Sequence, residues 1–409
     1  MGYRVEVRDK NLNRVGIIDQ WISLDMVVRF NAPGTWTLLV KAGTDQAALL
    51  EKGAGVAIYQ DDVTVPVLTG QISFFQHYWT TQQHTGPGSL YIGGSCDNQL
   101  AYNRVAFLDP SKPITQQYQA TDTRAVTGSA GQAIWAELNN SIGPGALANR
   151  QVPGVSLGAS QALGPAVSDT LQWDVLGTKF ETWTTDKKTG WRLVYDPNTK
   201  KINLSIYTPR DLSKSVRFSK DLGNLREYVW TLSAPTATRA IVACQGTGKS
   251  RYMYQQIDTQ LEADWGTSVE TFVDRRDLPI VLNQATGQPA KANLSVSDAD
   301  FATALQAVKD AATEALTNGS GQGNFQIYPI DTPQLKFGRD YFVGDMVTVV
   351  VDGVEYTDIV RDVSITVDDA GNTLTVAPGI GEQGQGQPTN LYATVFEMRK
   401  KLARLEARL

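Results

Sequence analysis

Short segments that alternate apolar and polar residues, separated by turns, dominate the first hundred positions. Tyr3 to Arg8 alternates in the period of two that places every second side chain on one face of a strand. Similar segments follow at regular spacing: Trp21–Leu24, Met26–Phe30, Trp36–Val40, Gly55–Tyr59, Val63–Gln71 and Leu90–Ile92. Many short strands at regular spacing are typical of a β-barrel or β-sandwich. We therefore expect a mainly β N-terminal domain, with core or interface positions for Trp21, Trp36 and Trp79.

After about residue 100, segments with helical periodicity occur as well as segments with the period of a strand. Ser129 can cap a helix that runs to about Asn140, and Ser168 can cap a second helix over 169–184. The second helix would align four apolar residues on one face: Trp173, Leu176, Phe180 and Trp183. A hairpin is expected next, from Trp191–Tyr195 and Ile202–Tyr207. This part indicates an α/β domain inserted between β-rich parts.

Strands return after this insertion, and one long helix interrupts them. Phe218–Thr231 and Arg239–Ile257 are expected strands, and Ser297 begins a helix with a single apolar stripe: Phe301, Leu305, Val308, Ala312 and Leu316. A meander with a turn at Asp352–Gly353 follows. We predict seven segments: an N-terminal β-barrel-like domain (1–115), an inserted α/β domain (116–212), a second β-rich domain (213–290), a helical segment (291–335), a β-meander (336–380), a glycine-glutamine linker (381–390) and a coiled-coil helix (391–409).

The segment Ala243–Ser250 resembles a relaxed phosphate-binding loop. Its Gly248-Lys249-Ser250 end offers the glycine, lysine and hydroxyl that such a loop uses for phosphates and magnesium. A phosphate-binding loop needs a helix directly behind it, whereas the residues after Ser250 alternate with the period of a strand. Alanine also replaces the first glycine of the motif. The favoured interpretation is a β-hairpin with a Gly-Thr-Gly turn, and a nucleotide site is the alternative.

The last nineteen residues carry a narrow apolar seam. Its members alternate four and three positions apart: Leu391, Val395, Met398, Leu402, Leu405 and Leu409. This heptad spacing predicts a coiled coil that forms an oligomer interface. An amphipathic helix docked on its own domain is the alternative. Fewer than three heptads are marginal alone, so the rest of the chain must contribute to any oligomer.

Composition and motifs restrict the function classes. The 409 residues carry a net charge of −5 and are 42% apolar, which suggests two to four globular domains and argues against specific nucleic-acid binding. The sequence contains two cysteines (Cys96 and Cys244) and two histidines (His77 and His84), with no zinc-peptidase, paired Cys-x-x-Cys or serine-hydrolase motif. We expect no enzyme activity, no cofactor, no metal, no signal peptide and no membrane span.

Several short segments, taken in order, resemble a known family. They are Gly34–Leu38, Gly70–Ile72, Gly94–Leu100, Val216–Ser219, Leu222–Leu225, Thr238–Val242, Glu270–Arg276 and Phe342–Val349. Their order resembles the minor tail protein family of long-tailed phages of actinobacteria, related to baseplate hub and tail-associated lysin proteins. The resemblance extends over roughly residues 1–380. It implies two barrel-like domains per chain, with three chains forming a pseudo-six-fold ring that matches a hexameric tail tube.

The resulting hypothesis is a structural virion protein made in the host cytoplasm. We expect a homotrimeric hub at the distal tip of a phage tail, joining the tube to the adhesion device and gating the DNA channel. Expected partners are the distal tail protein, other tail-tip or fibre proteins and the tape measure protein. One alternative is an ATPase built on Ala243–Ser250. The other is a carbohydrate-binding adhesin, which the nine tryptophans favour.

Overall fold

A computed structural model describes residues 2–60, 63–81, 86–119, 122–232, 234–320, 323–329, 332, 334–351, 353–368 and 373–380. The chain divides into two compact units. The large unit contains Met1–Val229 and Gln326–Gly381, and the inserted unit contains Trp230–Phe325. The predicted linker and coiled-coil helix lie outside the described residues. The division into seven segments stays a prediction.

Eighteen strands and helices precede the core of the inserted unit. They are β1 (Tyr3–Arg8), β2 (Arg14–Ile18), β3 (Ser23–Arg29), β4 (Thr35–Lys41), α1 (Asp45–Ala48), β5 (Gly55–Gln60), β6 (Leu68–Tyr78), β7 (Ser89–Cys96), α2 (Gln99–Tyr102), β8 (Arg124–Ser129), α3 (Ala130–Ser141), β9 (Val155–Ser156), β10 (Ala166–Leu171), α4 (Leu176–Trp183), β11 (Gly190–Asp196), β12 (Lys201–Tyr207), β13 (Arg217–Ser219) and β14 (Leu225–Leu232).

The remaining elements belong to the inserted unit and to the return of the chain. The first group is β15 (Arg239–Ala243), β16 (Met253–Ile257), α5 (Thr259–Trp265), β17 (Glu270–Asp274), β18 (Ile280–Leu282), β19 (Pro289–Lys291) and α6 (Asp298–Gly319). The second group is β20 (Gly323–Pro329), β21 (Met346–Val351), β22 (Val354–Asp368) and β23 (Thr373–Ile380). The fold is mainly β, as the sequence predicts.

One long antiparallel path organises the large unit. It runs β23-β22-β3-β4-β7-β6-β5-β1-β2, and β21 adds to β22 and pairs in parallel with β13. Alternate side chains of β3 are buried, including Leu24 and Met26, whereas β4 is buried continuously from Trp36 to Val40. Trp21 and Trp36 lie in the core as predicted, whereas Trp79 is 53% exposed. The described strands form no closed barrel, because the path ends at β2.

Helices and a hairpin pack together in the α/β part of the large unit. Ser129 caps α3 with a reciprocal capping box to Gln132, which confirms the predicted start of this helix. The predicted hairpin is also confirmed. β11 and β12 are antiparallel, with Gly190 opposite Tyr207 at one end and Asp196 opposite Lys201 at the other. The rings of Phe180 and Trp191 meet edge to face with centroids 5.4 Å apart in a shared core.

The predicted helix over 169–184 is wrong in its first half. Ala166–Leu171 is a strand that pairs with β8, and the helix begins only at Leu176. Trp173 adopts a φ of 61°, a left-handed conformation that a right-handed helix cannot contain. The predicted strand Phe218–Thr231 is likewise two strands, β13 and β14, separated by a turn in which Gly223 has a φ of 67°.

The inserted unit is a small sheet covered by a helix. Its strands lie in the order β16-β15-β17, with β15 antiparallel to β16 and parallel to β17. Ser297 caps α6 as predicted, because its side chain accepts a hydrogen bond from the Asp300 N–H. Ala240 and Val242 of β15 share a core with Val308 and Ala312 of α6. A short hairpin of β18 and β19 completes the unit.

Candidate functional site

The loop between β15 and β16 contains the Gly-Thr-Gly segment, and it is part of a hairpin. Ala243 pairs with Met253, and the Cys244 N–H donates to the carbonyl of Tyr252 at 2.9 Å. Gly246 and Gly248 have φ values of 108° and 54°, in the region that glycine adopts most readily. The hairpin interpretation is therefore confirmed, and a strand rather than an α-helix follows the loop.

Hydrogen bonds inside this loop occupy the groups that a nucleotide site would need. The Ser250 hydroxyl donates to the Thr247 carbonyl at 2.9 Å and accepts from the Thr247 N–H at 3.3 Å. The Ser250 N–H also donates to that carbonyl, at 3.1 Å. The helical segment at the end of the motif is a single 3₁₀ turn, Gly248–Ser250. Because both bonds of the Ser250 hydroxyl stay within the loop, this group is not directed outward as a magnesium ligand. The loop therefore lacks the geometry of a phosphate-binding loop.

We expect that the chain binds no nucleotide and that replacement of Lys249 by alanine does not alter this result. Neither the unchanged chain nor Lys249→Ala should show saturable binding of magnesium–ATP up to about 1 mM by isothermal titration calorimetry. Lys220→Ala is the matched control, because Lys220 is an exposed lysine of the large unit. Saturable binding that Lys249→Ala loses and Lys220→Ala keeps would show that the hairpin binds nucleotide after all.

Carboxylates pair with the arginines around this hairpin. The Arg251 guanidinium donates to the Cys244 carbonyl at 3.0 Å and pairs with Asp274. Arg275 pairs with Asp277 at 2.7 Å between Nη2 and Oδ2. At the other end of β15, Arg239 binds Glu262 through two hydrogen bonds of 2.6 and 3.0 Å, and this lowers the pKa of Glu262 to about 2. These arginines are therefore paired with carboxylates, whereas Lys249 at the tip of the hairpin is exposed and forms no ion pair within the described ranges.

On the face opposite α6, the sheet of the inserted unit exposes three apolar side chains among the polar Gln255, Glu270 and Asp274. Met253 and Phe272 are each 56% exposed on this face, and Ile257 is also exposed. These side chains alternate along β16 and β17 with the residues that lie nearer α6. Grouped exposed apolar side chains of this kind mark contact surfaces more often than isolated ones do.

A second arrangement, in the large unit, joins the α/β part to the long sheet path. Three alternate N–H groups of β11 donate to side-chain oxygens instead of to a neighbouring strand. The acceptors are Asn31 Oδ1 for Trp191 at 2.9 Å, Asn98 Oδ1 for Leu193 at 2.7 Å and Thr69 Oγ1 for Tyr195 at 3.1 Å. We call these three acceptors the side-chain ladder. The ladder satisfies a buried strand edge and fixes the hairpin against the sheet.

A buried ion pair lies beside this ladder. Arg8 Nη2 and Asp97 Oδ1 are 2.5 Å apart, and the two side chains are only 4% and 3% exposed. Asp97 also accepts a hydrogen bond from Thr69 Oγ1 at 2.6 Å, and the Arg8 guanidinium lies 4.8 Å from the ring centre of Tyr195. Asp97 and Asn98 belong to the Gly94–Leu100 motif. The sequence marked the motif but did not reveal these roles, because their partners are distant along the chain.

The remaining candidate groups are the acidic side chains, the two histidines and the two cysteines. Across the described part of the chain, no three His, Cys, Asp or Glu side chains are grouped as a metal site would require. His77 is exposed and lies 2.7 Å from the Pro87 carbonyl, and His84 lies outside the described residues. Both cysteines are unpaired, and burial raises the pKa of the Cys96 thiol to about 11. None of the helices in the described ranges combines the length and apolarity of a membrane span.

The predicted oligomer interface consists of six apolar residues near the end of the chain. Leu391, Val395, Met398, Leu402, Leu405 and Leu409 lie outside the described residues. The seam stays a prediction.

Comparisons with known proteins identify a family and a similar fold. Residues 4–382 match the family described as Siphovirus ReqiPepy6 Gp37-like protein. The fold is similar to that of the 43 kDa tail protein of prophage MuSo2 from Shewanella oneidensis, with a TM-score of 0.52, 10% identity, and coverage of 93% of this chain and 98% of that one. A tail protein from Neisseria meningitidis MC58 gives a TM-score of 0.50, 14% identity, and coverage of 93% and 97%. No curated protein sequence is significantly similar to the chain.

Proposed function

This chain belongs to the Siphovirus ReqiPepy6 Gp37-like protein family, and we propose that it is the structural hub at the distal tip of a siphovirus tail. The observation that carries this proposal is the shared fold. The similarity to the Shewanella prophage tail protein covers 93% of this chain and 98% of that one, so the two proteins correspond over nearly their whole lengths. A hub of this kind joins the tail tube to the host-adhesion device.

The described side chains support a structural rather than an enzymatic role. Buried and partly buried charged side chains form ion pairs with one another, as in Arg8–Asp97 and Arg239–Glu262. In the proposed particle, the apolar face formed by Met253, Ile257 and Phe272 contacts other tail components. Those partners are the distal tail protein, tail-tip or fibre proteins and the tape measure protein.

We further propose that three copies form the hub and enclose the DNA ejection channel. In this arrangement each chain contributes two barrel-like domains to a pseudo-six-fold ring. The net charge of −5 per chain supports a channel that repels DNA and lets it slide. The seam of Leu391, Val395, Met398, Leu402, Leu405 and Leu409 forms a parallel coiled coil in the assembly. The mixture of leucine, valine and methionine in this seam gives no strong preference for a particular number of helices. The rest of the chain therefore determines how many copies assemble.

Sedimentation of the purified chain tests the assembly. We expect a particle of three 44.6 kDa chains. The double variant Leu402→Asp/Leu405→Asp places charges in the seam, at a cost of several kcal/mol each if they stay desolvated. Its trimer should therefore dissociate at concentrations at least about tenfold higher than those of the unchanged chain.

A control variant carries the same charges away from the seam. Ala403→Asp/Ala407→Asp falls at heptad positions that do not face the partner helices, so its sedimentation should equal that of the unchanged chain. Equal sedimentation of the seam variant and the control would refute the coiled coil. A monomeric or dimeric unchanged chain would refute the trimer.

A further inference from the structure

Trp173 is held in an unfavourable backbone conformation. Its φ of 61° lies in the left-handed region, which bulky side chains rarely adopt. The other described non-glycine residues with positive φ are Leu12, Asn31, Lys187 and Lys200, so Trp173 is the one aromatic residue among them. Strain of this kind persists only where the surroundings impose it, and it is concentrated at functional positions.

Hydrogen bonds hold the backbone around Trp173 in this conformation. The Ala106 N–H donates to the Asp174 carbonyl at 2.8 Å, and the Leu176 N–H donates to the Arg104 carbonyl at 3.0 Å. Within the turn, the Gln172 N–H donates to Asp174 Oδ2 at 2.7 Å. The loop is therefore bonded to the neighbouring segment immediately after Trp173, and the indole is presented from a fixed position.

A stack of side chains supports the indole. The rings of Trp173 and Phe107 meet at 68° with centroids 5.6 Å apart. The Arg150 guanidinium lies 3.6 Å from the ring centre of Phe107 and donates to the Val105 carbonyl at 2.8 Å. Trp173 nevertheless remains 38% exposed, and its indole N–H makes no hydrogen bond within the described part of the chain. An aromatic ring that is rigidly supported and exposed is suited to stacking on a ligand.

Two arginines beside this stack lack carboxylate partners. Arg104 Nη2 donates to the Arg150 carbonyl at 3.4 Å, so the two residues are adjacent. Neither guanidinium forms an ion pair in the described ranges, since the nearby Glu137 is bound by Arg124 through two hydrogen bonds of 2.7 Å. Burial and the neighbouring Arg104 charge lower the pKa of Arg150. Arg104 Nε and Arg150 Nη1 are buried without a hydrogen-bond partner. The two adjacent guanidinium groups therefore carry positive charge that no ion pair within the described ranges neutralises directly.

We propose that Trp173, Phe107, Arg104 and Arg150 form a binding site for an acidic saccharide. The apolar C–H face of a sugar ring packs on the electron-rich face of the indole, and a carboxylate or phosphate on the sugar lies in the field of the two arginines. Gln172 precedes the tryptophan, and its exposed side-chain amide makes no hydrogen bond within the described ranges, so it can bond a sugar hydroxyl group. This site is independent of the proposed hub assembly, because it needs no second copy of the chain.

Titration of the full chain with defined probes tests this proposal. The probes are a uronic-acid oligomer, a neutral glucose oligomer and inorganic phosphate, and binding is followed by calorimetry and tryptophan fluorescence. We expect the uronic-acid oligomer to bind with a Kd of about 1 mM or lower and the neutral oligomer about tenfold more weakly. Trp173→Ala should weaken uronate binding at least about tenfold. Trp79→Ala is the matched control, because Trp79 is also an exposed indole, and it should bind as the unchanged chain does.

Several outcomes would overturn the proposal. They are the absence of uronate binding, equal binding by Trp173→Ala, an equal loss in Trp79→Ala, equal affinity for the neutral oligomer, or equal affinity for phosphate alone. Trp173→Gly separates binding from folding, because glycine adopts the same φ without strain. This variant should remain folded, with a cooperative melting transition, while it loses uronate binding. Uronate binding that a folded Trp173→Gly chain retains would also overturn the proposal.

Discussion

Replacement of Asp97 by alanine is expected to lower the free energy of unfolding of the large unit by about 3–5 kcal/mol. The variant leaves the Arg8 guanidinium buried without its carboxylate, and a buried charge without a partner is costly. The Thr69 hydroxyl also loses an acceptor 2.6 Å away. Urea denaturation followed by near-UV circular dichroism measures the change, because most of the buried aromatic rings lie in this unit.

Two further variants identify the cause of this loss. Arg8→Met/Asp97→Ala removes both charges, so it should be less destabilised than Asp97→Ala alone. Glu355→Ala breaks a surface pair with Arg217, whose side chains are 42% and 58% exposed, and it should cost less than about 1 kcal/mol. If Asp97→Ala costs no more than Glu355→Ala, the buried pair does not hold the large unit together.

Loss of two members of the side-chain ladder is expected to release β11 from the long sheet path. In Asn31→Gly/Asn98→Ala, the buried N–H groups of Trp191 and Leu193 lose their acceptors. Each unsatisfied group costs about 1–3 kcal/mol. Glycine is chosen at position 31 because Asn31 has a φ of 53°, which glycine keeps without strain. Hydrogen exchange of the segment 190–196 should accelerate at least about thirtyfold, which corresponds to about 2 kcal/mol.

Asn203→Ala is the matched control for this experiment. Asn203 lies on β12 opposite Val194 of the same hairpin, and its side chain makes no hydrogen bond within the described residues. Its replacement should leave exchange in 190–196 within about threefold of the unchanged chain. Unaltered protection in the double variant would mean that the aromatic core alone positions the hairpin. In that case water would replace the lost acceptors, and the ladder would not stabilise the position of β11.

Local patterns predicted the elements whose structure depends on nearby residues. The capping box of Ser129 and Gln132 starts α3, and the apolar stripe after Ser297 produces α6. The Gly-Thr-Gly turn was identified correctly for the same reason, since the period of two after Ser250 excludes a following helix. The order of short motifs was sufficient to recognise the family, although none of them carries a catalytic group.

The error at residues 169–184 shows where local patterns fail. Ser168 followed by spaced apolar residues is a good helix signal, but β8 offers the segment a strand partner. Asp169 then uses its carboxylate to accept from Trp183 Nε1 at 2.9 Å and to bind Lys179 Nζ at 3.1 Å. Pairing with a distant strand outweighed the intrinsic helix preference, which amounts to only a few tenths of a kcal/mol per residue.

The sequence by itself therefore determined the mainly β class, the helices capped by Ser129 and Ser297, the hairpins and the family. Only the tertiary structure decided which polar residues hold the large unit together. The ladder joins residues 95 to 160 positions apart, and Arg8 reaches Asp97 across 89 positions. No local spacing encodes such contacts, because they arise when separate strands pack and their buried N–H groups and charges must each find a partner.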